Sequence, residues 1–141
     1  MSKIRYRPSV SEKKAILAKT GGYCAYCGKH ITMKTMSVDH VTPRSRYSTA
    51  TYADRLENML PACKSCNRYK HTRTLEEYRV YMRMAHSRLR TYYVTPILER
   101  YGIVEFHPWN GIFWFEKHIS VGNDSGNDSG NDSGNDSGKG S

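Results

Sequence analysis

The sequence predicts a small α+β domain, and three observations carry that prediction. Two capping boxes, Ser9-x-x-Glu12 and Thr74-x-x-Glu77, each open a helical stretch. Short apolar pieces at 33–41 and 55–60 have the length of strands. Two Cys-x-x-Cys pairs, Cys24/Cys27 and Cys63/Cys66, bracket those pieces with 35 residues between them. The chain has 141 residues, and its last twenty contain no apolar residue. What remains is one domain with a small core, of a kind that often takes a metal or disulfide staple.

The elements follow in order. A first helix runs through Lys19, with Ala15, Ile16 and Ala18 on its apolar side, and Gly21-Gly22 ends it. Cys24-Ala-Tyr-Cys27-Gly28 is a glycine-terminated knuckle. Met36, Val38 and Val41 mark a short strand that Pro43 stops. Residues 42–54, rich in Ser, Thr and Arg, read as a surface loop. Residues 55–60 are a short strand or turn that ends at Pro61, and the second knuckle then leads into a helix over 67–71. The second capping box opens one long helix through Leu89, with Leu75, Tyr78, Met82, Ala85 and Leu89 on one face. Residues 96–101 form a further short helix closed by Gly102. Residues 103–106 and 112–116 form a C-terminal β-hairpin around Asn110-Gly111. From Gly122 a Gly-Asn-Asp-Ser unit repeats four times, which predicts a disordered tail, either a natural linker or an appended segment. The expected organisation is a helix over 1–21, a core over 22–74, a helical and hairpin extension over 75–121, and a tail over 122–141.

The net charge is +9. The tail holds four Asp and one Lys, so the body carries 21 basic and nine acidic residues, a net +12. That balance predicts a polyanionic partner, nucleic acid first. No apolar run approaches the roughly 20 residues that span a bilayer. The basic stretch 1–8 has no apolar segment after it of the kind a secretory signal carries. A cytoplasmic protein with reduced thiols is the expectation.

Four thiolates on two knuckles match a tetrahedral structural zinc site. The competing use, a redox dithiol, calls for one reactive pair in a thioredoxin-like βαβ context. His30, three residues after Cys27, is read as an exposed polar residue rather than a further ligand. Between the pairs lies Val38-Asp39-His40-Val41-x-Pro43, followed by Asn58, Asn67 and His71. On a helix, Asn67 and His71 share a face, as half of a divalent-metal site would require. Asp39 offers the hard carboxylate that magnesium prefers. Adjacent side chains on a strand point to opposite faces, so Asp39 and His40 meet at one point only if the strand end twists.

The ordered set Cys-x-x-Cys, Asp-His-x-x-Pro, Leu-x-Asn-x-x-Pro-x-Cys-x-x-Cys-Asn-x-x-Lys resembles the zinc-bearing branch of the HNH (ββα-metal, His-Me finger) endonuclease family over about 22–74. The resemblance implies a ββα-metal core stapled by zinc on Cys24, Cys27, Cys63 and Cys66, with the helices and hairpin flanking it. It implies that His40 is the general base and that Asp39 and Asn67 hold a magnesium or manganese ion, with His71 a possible third ligand. Asn58 would be the central Asn that braces the loop. The first and last positions are Asp-His and Asn here, where the family name has His and His; Asp and Asn favour a hard cation. The implied activity is hydrolysis of phosphodiester bonds in double-stranded DNA. Arg44, Arg46, Arg68, Lys70 and Arg73 are the expected phosphate contacts, with Arg55, Lys64 and the arginines 79, 83, 88 and 90 adding charge and Tyr47, Tyr52 and Tyr69 packing on sugars. No base-reading module is present in the sequence, so specificity would be low or would come from a homodimer or a partner protein. The aromatic residues Phe106, Trp109, Phe113, Trp114 and Phe115 are read as packing against the helix, and His86, His107 and His118 as structural or surface residues. The alternatives are a non-catalytic zinc-stapled nucleic-acid-binding module and a zinc-stabilised protein-interaction domain.

Overall fold

Helix α1 (Val10–Ala18) starts where its capping box places it. Ser9 Oγ accepts from the Glu12 N–H at 3.1 Å, and the Ser9 N–H donates back to Glu12 Oε1 at 2.8 Å. The chain is described in a computed structural model over residues 6–47 and 53–119; the expected tail and Tyr52 lie outside those residues. Ile16 is the fully buried residue of α1 and points it at the sheet. Beyond the helix, Lys19 Nζ donates to the carbonyls of Leu56 (2.5 Å) and Met59 (2.7 Å), tying it to the approach to the second strand.

Strands β1 (Met36–His40) and β2 (Met59–Cys63) pair antiparallel, from Met36 opposite Cys63 to His40 opposite Met59. The second strand does not end at Pro61, as the sequence predicts, but runs through it. A two-stranded sheet has only edges, where a proline is tolerated. The Pro61 carbonyl is used outward, accepting from the Ala25 N–H of the first knuckle at 2.9 Å. Helix α2 (Lys64–Lys70) follows without a loop and packs on both strands, which completes the ββα unit.

Thr74 and Glu77 form the second capping box and open α3 (Leu75–Arg83). The single helix expected through Leu89 is broken at Met84 (φ −93°, ψ 9°), and α4 (Ala85–Arg90) follows. Arg88 takes the Tyr81 carbonyl at 2.7 Å, which a continuous helix would have given to the N–H of Ala85. Helix α5 (Val94–Arg100) holds Pro96 in its first turn, where its missing N–H costs nothing.

The expected C-terminal hairpin is absent: the described residues 103–113 carry no strand, and 114–118 form a helix. Asn110 and Gly111 do turn the chain, with Ile112 N–H donating to Asn110 Oδ1 at 2.9 Å and Gly111 at φ 84°. The N–H groups after the turn are spent elsewhere. Trp114 donates to the Tyr26 carbonyl (3.1 Å) and Phe115 to the Ala25 carbonyl (2.8 Å). The segment docks on the first knuckle instead of pairing with 103–106, and Glu116 receives the Phe113 N–H as α6 (Trp114–His118) begins. Burial drives this choice. Phe113 stacks on Tyr78 at 5.2 Å and meets Tyr26 edge-on, and Phe115 also packs on Tyr26. Phe113 and Phe115 thus serve the core with Trp109 and Trp114 packed against it, as the sequence predicts, whereas Phe106 lies outside that cluster against His86 and Arg90. Among the described residues no helix is long and apolar enough to cross a membrane.

Phe113 is nearly fully buried in this cluster. Phe113→Ala is expected to cost about 3–5 kcal/mol, read as a lower denaturant midpoint at unchanged slope. A loss below about 1 kcal/mol, the scale of an ordinary surface change, would show that the docked segment is peripheral to the core.

Candidate active site

The four cysteines converge. Their sulfurs all lie within 4.8 Å of one another, with Cys27 Sγ and Cys63 Sγ 3.9 Å apart. Zinc–sulfur bonds of about 2.3 Å set the edges of a thiolate tetrahedron at about 3.8 Å, so the group can hold a zinc ion. The local fold is built for it. Cys63 is the N-cap of α2, and its sulfur accepts from the Cys66 N–H at 3.4 Å. Cys24 is held well below the usual thiol range, to about 4, chiefly by a side-chain hydrogen bond with Cys66, with backbone N–H groups at Cys27, Cys63 and Tyr26 adding to it. The same pairing pushes Cys66 strongly up. A thiolate is the form in which cysteine ligates zinc. Gly28 turns the first knuckle at φ 79°, and the Trp114 ring lies against it so closely that a Cβ would fall 2.3 Å from Cδ1. His30 stays outside the group, with its ring against Tyr23.

Asp39 and His40 diverge, as alternation along β1 requires. Asp39 points inward and is 3% exposed. Tyr26 donates its hydroxyl to Asp39 Oδ2, and Lys70 Nζ lies 3.3 Å from Oδ1 and 3.2 Å from Oδ2. Burial pushes the Asp39 carboxyl up, against the opposing pull of Lys70, and burial likewise lowers the Lys70 ammonium. Lys70 also donates to the carbonyls of His40 (3.0 Å) and Val41 (3.1 Å). This corrects the expectation that Lys70 contacts phosphate: the side chain is fully buried and all three of its protons are engaged. Asn67 sits one turn before Lys70 on α2 and is half-buried. Carboxylate and amide oxygens are donors of the type a hard cation takes, and an ionised carboxylate has about four acceptor positions, of which Tyr26 and Lys70 fill some.

His40 points to the other side. Its Nε2 lies 2.9 Å from Asp54 Oδ1, while Arg44 holds Asp54 Oδ2 at 3.1 Å. Tyr6 meets the imidazole edge-on at 6.5 Å. Asp54 did not emerge from the sequence. The signal present was its place four residues before Asn58, in a stretch read as featureless loop. Asn58 closes that loop from within: its Oδ1 accepts from the Thr42 N–H, and its Nδ2 donates to the carbonyls of Thr42 and Ala53, each at 2.9 Å. Its own carbonyl accepts from the Val41 N–H at 2.8 Å.

His71 does not extend the face that carries Asn67, because α2 ends at Lys70 and His71 has φ 56°. The i, i+4 geometry expected from spacing is therefore lost. Its ring lines an open cleft of about 600 Å³ with Arg46, Arg68, Arg73 and the rings of Tyr69 and Tyr81. Arg46 is paired there with Glu77 at 2.6 Å, and Arg73 and Arg88 each stack 3.5 Å from the centre of the Tyr81 ring, which places them on opposite faces. Other arginines are spent on the fold. Arg79 clamps Glu116 at 2.7 Å and the Gly111 carbonyl at 2.6 Å, and Arg90 pairs with Glu99 at 2.8 Å. His86 and His118 pack on Phe106 and Trp114, and His107 lies beside Glu105.

Comparison with known proteins bears on this geometry. Residues 24–73 match the family described as HNH endonuclease. No curated relative matches the chain. A solved structure, the Type II-C Cas9 enzyme from Actinomyces naeslundii, aligns at 28% identity and TM-score 0.39, covering 45% of this chain and 6% of that one.

If zinc joins the two knuckles, chelation or Cys63→Ala removes the tie between the first knuckle, β2 and α2, and binding energy of that kind is folding energy. The expected result is loss of the cooperative thermal transition with one zinc per chain released. A chelated or Cys63→Ala protein that melts like the wild type would overturn this assignment.

Proposed function

We propose, from the match of residues 24–73 to the HNH endonuclease family, that the protein hydrolyses phosphodiester bonds in double-stranded DNA with His40 as general base. The observation that carries this reading is the placement of His40. It stands at the end of β1, partly exposed, with its ring anchored on one edge, while the adjacent Asp39 faces α2 on the other side of the strand. A neutral imidazole is suited to take a proton from water near neutral pH. Asn67, half-buried on α2, would offer its amide oxygen to a magnesium or manganese ion. Asp39 is held by Tyr26 and Lys70 and turned away from His40, so it would join Asn67 as a ligand only with the Lys70 ammonium displaced. The ion when bound would stabilise charge on the scissile phosphate and the leaving oxygen.

The chain's own residues do the rest. Lys70 fixes the end of β1 by holding the Asp39 carboxylate and two successive carbonyls, so the backbone that carries His40 cannot drift. Asn58 fixes the same turn from the β2 side. The cleft beside α2, with Arg46, Arg68 and Arg73, is the proposed track for the DNA backbone. Such contacts position a duplex without reading its bases, so cutting of low sequence preference is expected unless a second copy or a partner protein adds recognition.

Nicking of supercoiled plasmid with magnesium or manganese tests the reading. His40→Ala is expected to lower the rate by about 10²–10⁴-fold, the range a positioned general base contributes, with an unchanged melting temperature. Equal cutting by both proteins, or none by the wild type, would refute it. Arg68→Ala is expected to weaken DNA binding alike on all sequences and to flatten its salt dependence by roughly one counterion.

A further inference from the structure

The carboxylate that anchors the edge of the His40 ring is that of Asp54. Asp54 Oδ1 lies 2.9 Å from His40 Nε2, and Asp54 Oδ2 is held by Arg44 at 3.1 Å. We propose that Asp54 is a positioning residue for the hydrolysis, fixing the tautomer and ring orientation of His40 so that Nδ1 is the nitrogen that faces the attacking water. The inference rests on the reading of His40 as the base.

The chemistry follows from donor and acceptor rules. An ionised carboxylate only accepts, so the His40 proton belongs on Nε2 and the basic lone pair on Nδ1. Three groups hold this arrangement. Arg44 pins the far oxygen of Asp54, so the carboxylate cannot rotate away. Asn58 donates to the carbonyl of Ala53, the residue before Asp54, which brings that part of the loop back to β1. Tyr6 bounds the ring on a further side. The Asp54 side chain is 14% exposed and that of His40 is 22% exposed, so water competes weakly for the bond. Arg44 is thereby engaged as a clamp on Asp54, where the sequence predicts a phosphate contact.

In the step itself, the water oxygen forms a bond to phosphorus and the bond from phosphorus to the leaving sugar oxygen breaks. The water proton passes to His40 Nδ1, and the leaving oxygen takes a proton from solvent. The imidazolium that forms keeps Nε2–H on Asp54, which remains ionised and stabilises the new charge.

Two measurements on the intact protein test this. Plasmid nicking with magnesium compares wild type, Asp54→Ala, Asp54→Asn, His40→Ala and the double variant His40→Ala with Asp54→Ala. Asp54→Ala is expected to lower kcat by about 10–100-fold, as loss of an orienting partner does at other sites, with KM for DNA within about twofold. Asp54→Asn keeps an acceptor oxygen and is expected to recover part of that loss. The double variant is expected to be no slower than His40→Ala alone, because the two residues act as one unit. Wild-type kcat in Asp54→Ala, or a full further loss in the double variant, would overturn the proposal. Nitrogen-15 NMR of the His40 ring reads the tautomer without turnover. The Nε2–H form is expected in the wild type and a mixture in Asp54→Asn and Asp54→Ala. A wild-type Nδ1–H form overturns the positioning role even if His40→Ala abolishes nicking. A wild type that shows Nε2–H but does not nick sinks the nuclease reading instead, and the catalytic role of Asp54 with it.

Discussion

The junction of the two knuckles is the constraint on which the rest of the structure depends. The first knuckle has no helix or sheet of its own beyond a single bridge between Tyr23 and His30. It is held by Ala25 on Pro61 and by the carbonyls of Ala25 and Tyr26 that receive the C-terminal segment, and its two sulfurs lie within 4.8 Å of those of the second knuckle. The second knuckle is the corner between β2 and α2. Joining them fixes α2 against the sheet, and α2 carries Asn67 and Lys70. A zinc ion on the four sulfurs would brace that corner, a structural purpose distinct from any chemistry at His40.

Alternation along β1 then divides the neighbourhood into two environments one residue apart. On the inner side, Asp39 meets Tyr26 and Lys70, away from water. A buried pair of this kind contributes little net stability, because desolvation offsets the attraction. What it gives is position: the same ammonium that neutralises Asp39 also binds the next two carbonyls. On the outer side, His40 meets Asp54 and Tyr6 with partial access to solvent. A dry side that fixes the backbone and a wetter side that carries the imidazole make a rigid mount for one group.

The sequence made the local rules legible and the long-range ones only in part. Capping boxes at Ser9 and Thr74 and the two knuckles follow from short spacings, and the structure has them, while the pairing of the two strands around Asp39-His40 was implied only by the family resemblance. The C-terminal hairpin failed because Asn110-Gly111 specifies a turn but not its partner. Burial of Phe113 and Phe115 on Tyr26 decided the outcome, and Tyr26 lies some 85 residues away in sequence. Lys70 looked like a surface cation because lysine usually is one. Its burial depends on Asp39, 31 residues earlier. Asp54 was invisible for the same reason: nothing local marks a loop aspartate as the neighbour of His40. His71 shows the converse error, where a helical spacing was extended past a helix that ends one residue sooner.

Charge shows the same division between composition and place. A net +12 over the body favours a polyanion, but several of its arginines are already committed. Arg79 and Arg90 pair with Glu116 and Glu99, and Arg44 with Asp54. Among the described residues, Arg68 and Arg73 stand where α2 ends and α3 begins, beside a cleft walled by Tyr69 and Tyr81. Arg73 and Arg88 on the two faces of Tyr81 hold that wall flat and cationic. A polyanion drawn to the protein as a whole would thus be steered to one end of the helix that also carries Asn67. Lys70 of that helix holds Asp39 and the His40 carbonyl at the end of β1, so the cleft and the strand that bears the proposed base are joined through it.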